Sequence, residues 1–483
     1  MPATREKIVF YLNHDRVEIT GEDAFLTLST WLRVKKAMTG TKVVCSEGDC
    51  GACTVILGWM NPVGKLEYRI VDSCIQFLFQ LDSCHVITVE ALAENGKLHP
   101  AQQAMVECFG SQCGFCTPGF VMALADLAEK EQSHTTTSIK DKLGGNLCRC
   151  TGYEAIVKAG LALNAAQQVK ISERFDRQAM EAEFAKTEEQ SLKIETASGQ
   201  IFFKPADLAE ALKLRAAMPQ LRLVAGATDL GVQHNKGRSV VTHAMFIAHL
   251  GEIGAVQKKG DVLEIGATAN WSEVLAATEA DLPELHAILK VFAAEQIRNA
   301  ATIGGNIINA SPIADSLPCL FALDARLVLS SVSGSREVAI NGFYSGYKKF
   351  DLRADEILTK IILPLPKTNS LFKLYKVSKR RDLDISTVTL AIHLQMAGAK
   401  IAGAQLAAGG VAATILRLAN TEKLLIGAEL SAELFHKAGD MAMSEIQPQS
   451  DVRGSADFRK ILIRNLFHKF YFETSQAVGA KAG

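Results

Sequence analysis

Long apolar runs are missing from this 483-residue chain, and so is any excess of one charge, since 52 Lys and Arg face 52 Asp and Glu. Nothing approaches the roughly 20 apolar residues that span a bilayer. A neutral chain without a basic block also has no electrostatic footprint for nucleic acid or for an anionic membrane surface. The N-terminus, "MPATREKIVFYLN", passes from charged residues straight into an alternating run, without the apolar centre and small-residue cleavage site of a signal peptide. G-x-G-x-x-G and Walker A motifs are absent too, so any nucleotide must be held by other means. These absences point to a cytoplasmic protein with no nucleic-acid and no membrane partner. In that compartment thiols stay reduced, and clustered cysteines bind metal more often than they pair as disulfides.

Cysteine is scarce over most of the chain: ten of the eleven lie between Cys45 and Cys150, and only Cys319 lies beyond. The composition, 48% hydrophobic and 22% charged, is that of a globular protein. Its length calls for about three or four domains. Residues 1–85 read as short strands around one helix, "TLSTWLRVKKA". Residues 86–165 change to helical periodicity, as in "TPGFVMALADLAEK". Residues 166–195 are rich in charge and poor in large apolar side chains, which reads as a solvated linker. Strands and helices alternate over 196–370, and 371–483 read as a smaller domain of strands followed by helices. The fold class expected is a multidomain α+β protein.

The first cysteine quartet is "CSEGDCGAC" plus a later residue. Cys45, Cys50 and Cys53 have C-x4-C-x2-C spacing, and Cys74 follows. This is the plant-type ferredoxin spacing for a [2Fe–2S] cluster. Three thiolates must converge on a small inorganic core while backbone N–H groups point at its sulfides, and Gly48 and Gly51 let the loop fold tightly enough for that. Cys84 competes with Cys74 as fourth ligand, but "IVDSC" ends a strand leading back to the loop, which favours Cys74. Cys84, Cys108 and Cys319 read as buried free thiols.

Cys113 and Cys116 in "GSQCGFCTPGF", with Cys148 and Cys150 in "GGNLCRCTGY", form a second candidate quartet. A redox dithiol belongs to a strand-to-helix turn, and these surroundings are helical. By spacing, a four-sulfur zinc site and a second iron–sulfur centre both remain open. Pro118 with Gly119, and Gly144 with Gly145, suggest two helix-terminal loops that meet with their N–H groups free.

"TGTKVVCSEGDCGACTV", "SQCGFCTPGF" and "NLCRCTGY", in this order, resemble the iron–sulfur part of the xanthine dehydrogenase and molybdenum hydroxylase family. The resemblance implies a β-grasp ferredoxin-like domain and a four-helix domain, each with one [2Fe–2S] cluster. It also implies that Gln112 contacts a molybdopterin cofactor held by a partner. One departure stands beside it: Val44 occupies a position where the family usually has Gly.

"LVAGATDLG" and "ATIGGNIINASPIAD" offer small residues and unhindered N–H groups after apolar strands, as a pyrophosphate close to backbone requires. Both resemble the family's FAD-binding domain of the non-Rossmann type. The resemblance implies that Leu223, Val224, Ala225, Gly226, Ala227, Thr228, Asp229 and Leu230, with Thr302, Ile303, Gly304, Gly305 and Asn306, line the FAD diphosphate and ribityl chain. Phe292, Asp315, Leu358 and Lys376 would stand around the cofactor. Read without it, Phe292 and Leu358 would be core residues, Asp315 a turn residue and Lys376 solvent-facing. "SKRRDLDIS", with Arg380, Arg381, Asp382 and Asp384, has the character of a solvated loop, and in the family it lies near the flavin ring.

The whole resemblance implies an electron-transfer subunit. Electrons would come from a molybdopterin-binding large subunit, pass through two [2Fe–2S] clusters to FAD and leave to NAD, in the oxidation of hypoxanthine and xanthine to urate. No catalytic acid or base is assigned to this chain. Because the chain ends at Gly483, the hydroxylating centre is expected on that other polypeptide, in a hetero-oligomer of two or more heterodimers. A related hydroxylase acting on an aldehyde or another heterocycle, and a zinc-stabilised protein without redox function, are the alternatives.

Overall fold

The computed structural model describes residues 4–129, 133–163 and 170–479. The expected boundary near residue 165 lies outside the described residues. The chain divides into two compact units, one of residues 1–214, 218–251 and 294–301, the other of 215–217, 252–293 and 302–483.

The first unit begins with strands β1 (Ile8–Leu12) and β2 (Asp15–Ile19), helix α1 (Leu28–Val34), and strands β3 (Thr54–Met60), β4 (Leu66–Asp72) and β5 (Cys84–Ile87). They form a five-stranded sheet in the order β2-β1-β5-β3-β4, antiparallel except for the β1–β5 pair, with α1 laid across it as in a β-grasp. Alternation along the strands decides what packs where. Val55, Leu57, Val71 and Val86 join Phe10 and Trp31 in one core, while Ile56, Ile70 and Ile87 point the other way into a second core with Phe120 and Leu124. Both faces of the sheet are therefore covered, which accounts for the near-continuous apolar runs "IVFYL" and "TVILG".

The second face receives helices α2 (Pro100–Glu107), α3 (Thr117–Ala128), α4 (Thr136–Leu143) and α5 (Glu154–Leu161). Pro100 and Pro118 sit in the first turns of α2 and α3, where a missing N–H costs nothing. Helix α3 is apolar on nearly every side, Asp126 excepted, and is buried to match.

From Ile171 onward the stretch read as a solvated linker is structured. Helix α6 (Arg177–Glu188) runs along the first unit, and Ile171, Phe175, Met180 and Phe184 enter the second core at near-helical intervals. Phe184 is fully buried and edge-on to Tyr11, while the Tyr11 hydroxyl donates to Glu183 at 2.8 Å. Four apolar residues spread through a charged sequence are enough to pin it.

After α6, β6 (Leu192–Glu195), β7 (Ile201–Lys204), α7 (Leu208–Ala217), β8 (Arg222–Val224), α8 (Thr228–Asn235) and β9 (His243–Phe246) complete most of the first unit. Their sheet, in the order β6-β7-β9-β8, shares the first core, with Phe202 stacked on Phe79 at 4.9 Å. The second unit holds an antiparallel five-stranded sheet that includes Ile357–Pro364, and an antiparallel four-stranded meander beginning at Ser370–Val377. The meander is covered by helices Ala419–Leu425, Ala432–Glu445 and Ala456–Gly479, with Phe435, Phe467 and Phe470 in its core. No helix among the described residues is long and apolar enough to cross a membrane.

Phe184→Ala should destabilise the protein by about 3–5 kcal/mol, the usual loss for a buried phenylalanine. Denaturant unfolding followed by circular dichroism measures this, with the exposed Lys186→Ala as a control expected to stay within about 0.5 kcal/mol of the parent.

Candidate metal centres and cofactor cradle

The pairing of β3 with β4 sets Thr54 opposite Asp72 and so brings Cys53 and Cys74 together at the strand ends. The Ser73 hydroxyl donates to the Cys53 carbonyl at 2.7 Å and fixes the turn. Cys45 and Cys50 arrive on the preceding loop. The Cys45 sulfur lies within reach of Cys50 and Cys74, and Cys53 within reach of Cys74, so the four thiols are linked as a series of close pairs. Cys84, the rejected competitor, is in the core of strand β5.

Positive φ is taken up in this loop by Ser46 at 56°, Gly48 at 70° and Gly51 at 63°. Val44 is 63% exposed and is not among the positive-φ residues, so the departure from the family pattern is accommodated by turning two residues later. The N–H groups of Glu47 and Asp49 point at the Cys45 sulfur at 3.5 and 3.4 Å. Bonds from Cys50 and Cys74, helped by these N–H groups, push the Cys45 thiol far below its ordinary range. Cys50 is pushed up by its bond to Cys45 and by burial. Burial raises the neighbouring Asp72 carboxyl to about 7, which limits further negative charge beside the cage.

The second quartet joins two helix-terminal loops. Cys113 and Cys116 lie between α2 and α3, with Cys116 at the start of α3, and Cys148 and Cys150 lie between α4 and α5. Cys116 is hydrogen-bonded to Cys148, and Cys113 to Cys150. Burial acts against ionisation of Cys148, but bonds from Thr151 and from the Cys150 N–H, at 3.2–3.4 Å, bring its thiol down to about 7. Burial and the bond to Cys148 push Cys116 up to about 12. The thiols are associated in pairs, and no three His, Cys, Asp or Glu side chains among the described residues converge where a single ion could be held. Pairwise thiols with N–H groups aimed at them suit a two-iron cluster. Of the cysteines read as buried free thiols, Cys84 and Cys319 are buried, whereas Cys108 is half-exposed.

The two cages share a wall. The Leu147 N–H donates to the Cys50 carbonyl at 3.0 Å, and the Asn146 amide donates to the Gly51 carbonyl at 2.9 Å. A Cβ on Gly119 would stand 2.1 Å from the Gly51 carbonyl oxygen, and one on Gly145 would stand 2.2 Å from the Gln296 side chain. Around the second cage Gln112 and Cys113 are exposed, as is Phe115 at 47% and Phe109 at 83%.

Of the expected flavin residues, Leu223–Leu230 belong to the first unit and the rest to the second. In the first unit, Leu223 and Val224 end β8, Ala227 turns with φ 56°, and Thr228, Asp229 and Leu230 open α8. The Ala225 carbonyl accepts from Gln80 at 3.1 Å, and Gly226 lies so close to the Ala300 carbonyl that a Cβ would be 2.0 Å from its oxygen. Glycine at 226 is therefore required where backbone packs on backbone in this loop.

In the second unit, the Thr302 hydroxyl accepts from the Gly305 N–H at 3.1 Å and caps the short helix Ile303–Asn309. A Cβ on Gly304 would collide with the Ala267 carbonyl, and Ala267 is hydrogen-bonded to Thr359, next to the buried Leu358. Ser316 donates to the Asn306 side chain at 2.7 Å. Asp315 beside it pairs with Lys376 at 2.7 Å and accepts from Ser386. Lys376 also reaches the Val291 carbonyl at 3.4 Å, next to Phe292, whose ring stands edge-on to Trp271. The solvent-facing reading of Lys376 is thus corrected: its side chain is only 5% exposed, and its charge is neutralised by Asp315. The loop of Arg380 and Asp384, paired at 3.7 Å, leads directly into Ser386.

Sequence reasoning missed Asn146, Asn235 and Gln296. Asn146 stands two residues from Cys148, between "GG" and "LCRC", which is a usable signal. Asn235 and Gln296 carry none, because only the fold brings them to the cysteines.

Three family models match the chain: a [2Fe-2S] binding domain at residues 88–161, an FAD binding domain in molybdopterin dehydrogenase at 193–366, and a CO dehydrogenase flavoprotein C-terminal domain at 373–474. The chain belongs to the molybdenum hydroxylase family. It is an iron–sulfur and FAD module of that family, so the zinc-stabilised alternative does not stand. The xanthine dehydrogenase/oxidase of Gallus gallus is 29% identical over 98% of this chain and 40% of its own length. The xanthine dehydrogenase of Blastobotrys adeninivorans is 30% identical over 98% of this chain and 41% of its own. The chain therefore spans about two fifths of the curated relatives it matches. Among solved structures, the carbon monoxide dehydrogenase of Hydrogenophaga pseudoflava lacking the Mo-pyranopterin moiety aligns with 56% of this chain and 94% of that one, at 25% identity and a TM-score of 0.53. That of Oligotropha carboxidovorans aligns with 55% of this chain and 94% of that one, at 27% identity and a TM-score of 0.52.

Gly119→Ala should force the two cages apart. The expected result is a loss of about 1–3 kcal/mol in stability, as for overpacked sites, together with reduced iron content. Gly251→Ala, which meets nothing within 4 Å, should change neither.

Proposed function

We propose that this chain is the electron-transfer subunit of a xanthine dehydrogenase, carrying electrons from a molybdopterin centre on a partner to FAD and on to NAD. The observation that carries the reading is the wall between the cages, Leu147 to Cys50 and Asn146 to Gly51. Cys45, Cys50, Cys53 and Cys74 would hold one [2Fe–2S] cluster, and Cys113, Cys116, Cys148 and Cys150 a second. Leu223–Leu230, Thr302–Asn306, Phe292, Asp315, Leu358 and Lys376 would hold FAD. Bound there, the clusters supply one-electron carriers and the flavin exchanges single electrons for pairs.

The residues of the chain hold these groups near one another and control their surroundings. Helix α8 leads from the flavin loop to the first cage, where the Asn235 amide donates to the Cys74 carbonyl at 2.7 Å. Two turns of helix span only about 12 Å. On the far side, the exposed face of Gln112, Phe109 and Phe115 supplies a surface of the kind a partner covers. A molybdopterin-binding large subunit docking there would bring its electrons to the second cage first.

The likeness to carbon monoxide dehydrogenases supports a second reading, a module of a hydroxylase with another substrate. The two are separated by the coexpressed complex: purine-dependent NAD reduction supports the first, and its absence with turnover of an aldehyde or another heterocycle supports the second.

The purified chain should contain about four irons and one FAD. It should oxidise NADH with an artificial acceptor, yet oxidise no purine unless the partner is present; purine turnover by the lone chain would contradict the proposal. Cys150→Ser should remove or disturb one of two electron paramagnetic resonance signals and leave the other. Loss of neither would refute the ligand assignment.

A further inference from the structure

The first cage is held from outside by two asparagine amides, one from each neighbour. Asn235, at the end of the helix that follows the flavin loop, donates to the Ser46 carbonyl at 2.9 Å and the Cys74 carbonyl at 2.7 Å. Asn146, two residues from a ligand of the second cage, donates to the Gly51 carbonyl at 2.9 Å and accepts from Gln296 at 2.9 Å. A peptide group is planar, so holding a carbonyl also aims the N–H of the next residue. The Ser46 carbonyl shares its peptide with the Glu47 N–H, which points at the Cys45 sulfur at 3.5 Å. The Gly51 carbonyl shares its peptide with the Ala52 N–H, in the turn that leads from Cys50 to Cys53.

We propose that Asn235 and Asn146 are positioning residues that hold these two peptides of the cysteine loop, Asn235 aiming the Glu47 N–H at Cys45, and so set the reduction potential of the first cluster. The inference rests on the electron-transfer reading above. Reduction adds negative charge to the cluster, and N–H groups directed at its sulfurs favour the reduced form. Each redox neighbour thereby fixes one peptide of the first loop. The cluster takes its working potential only while both neighbouring segments are docked against its loop.

The test is a reductive titration of the full chain, followed by electron paramagnetic resonance, in which the signal retained by Cys150→Ser marks the first cluster. Asn235→Ala and Asn146→Ala should each make reduction of that cluster about tenfold less favourable, a shift of about 59 mV for one electron. The second cluster should be unchanged. Asn235→Gln, which keeps the amide at a half-exposed position, should restore most of the parent potential and covers the case in which the buried Asn146 variant fails to fold. Unchanged potentials in Asn235→Ala with normal iron content would overturn the inference, as would equal shifts of both signals. Absence of two cluster signals from the unsubstituted chain would instead overturn the electron-transfer reading, and the clamp with it.

Discussion

Two hydrogen bonds, from Leu147 to Cys50 and from Asn146 to Gly51, are the constraint on which the first unit depends. They require the second loop to lie directly on the backbone of the first, and glycine stands at the points of closest approach, at Gly51, Gly119 and Gly145. The β-grasp sheet makes the approach possible by burying both its faces, one against α1 and one against α3. Had one face been solvated, the helical domain could not lie against the cysteine loop. The alternation of Val55, Ile56 and Leu57 is therefore as much a part of the electron path as the cysteines.

Charges inside the molecule are arranged with similar economy. Lys142, almost fully buried, bonds to Asp126 and to Glu295 at 2.7 Å, which fastens the helical turn Glu295–Arg298 beside the cages. Removing one member would leave its partner charged in a dry place, which is where ion pairs matter most. Ile297 of the same turn packs on Cys53, Cys74 and Ile75. In the second unit Asp315 and Lys376 neutralise each other in the same manner.

Much of this was legible in the sequence. Cysteine spacing named both quartets, because a cluster dictates the local loop that holds it. The small-residue loops at 223–230 and 302–306 were visible as loops because glycine marks close backbone approach, as at Gly226 and Gly304. What remained hidden depends on tertiary contact. The stretch 171–195 looked solvated because its buried residues, Ile171, Phe175, Met180 and Phe184 in one core and Leu192 and Ile194 in the other, are few and diluted by charge. The pairing of Lys376 with Asp315, 61 residues away, has no local signature. Asn235 sits on a helix end that any sequence could supply.

That last contact bears on the order in which the protein matures. The loop around Cys45 is synthesised early, yet the amide that holds the Cys74 carbonyl comes 161 residues later, and the one that holds Gly51 comes 95 residues later. On the ribosome the first cysteine loop is thus complete in covalent terms long before it is complete in its hydrogen bonds. Its finished shell forms only after translation has passed residue 235, so delivery of iron and sulfide to a nascent chain would meet a looser and wetter loop than the one in the folded protein.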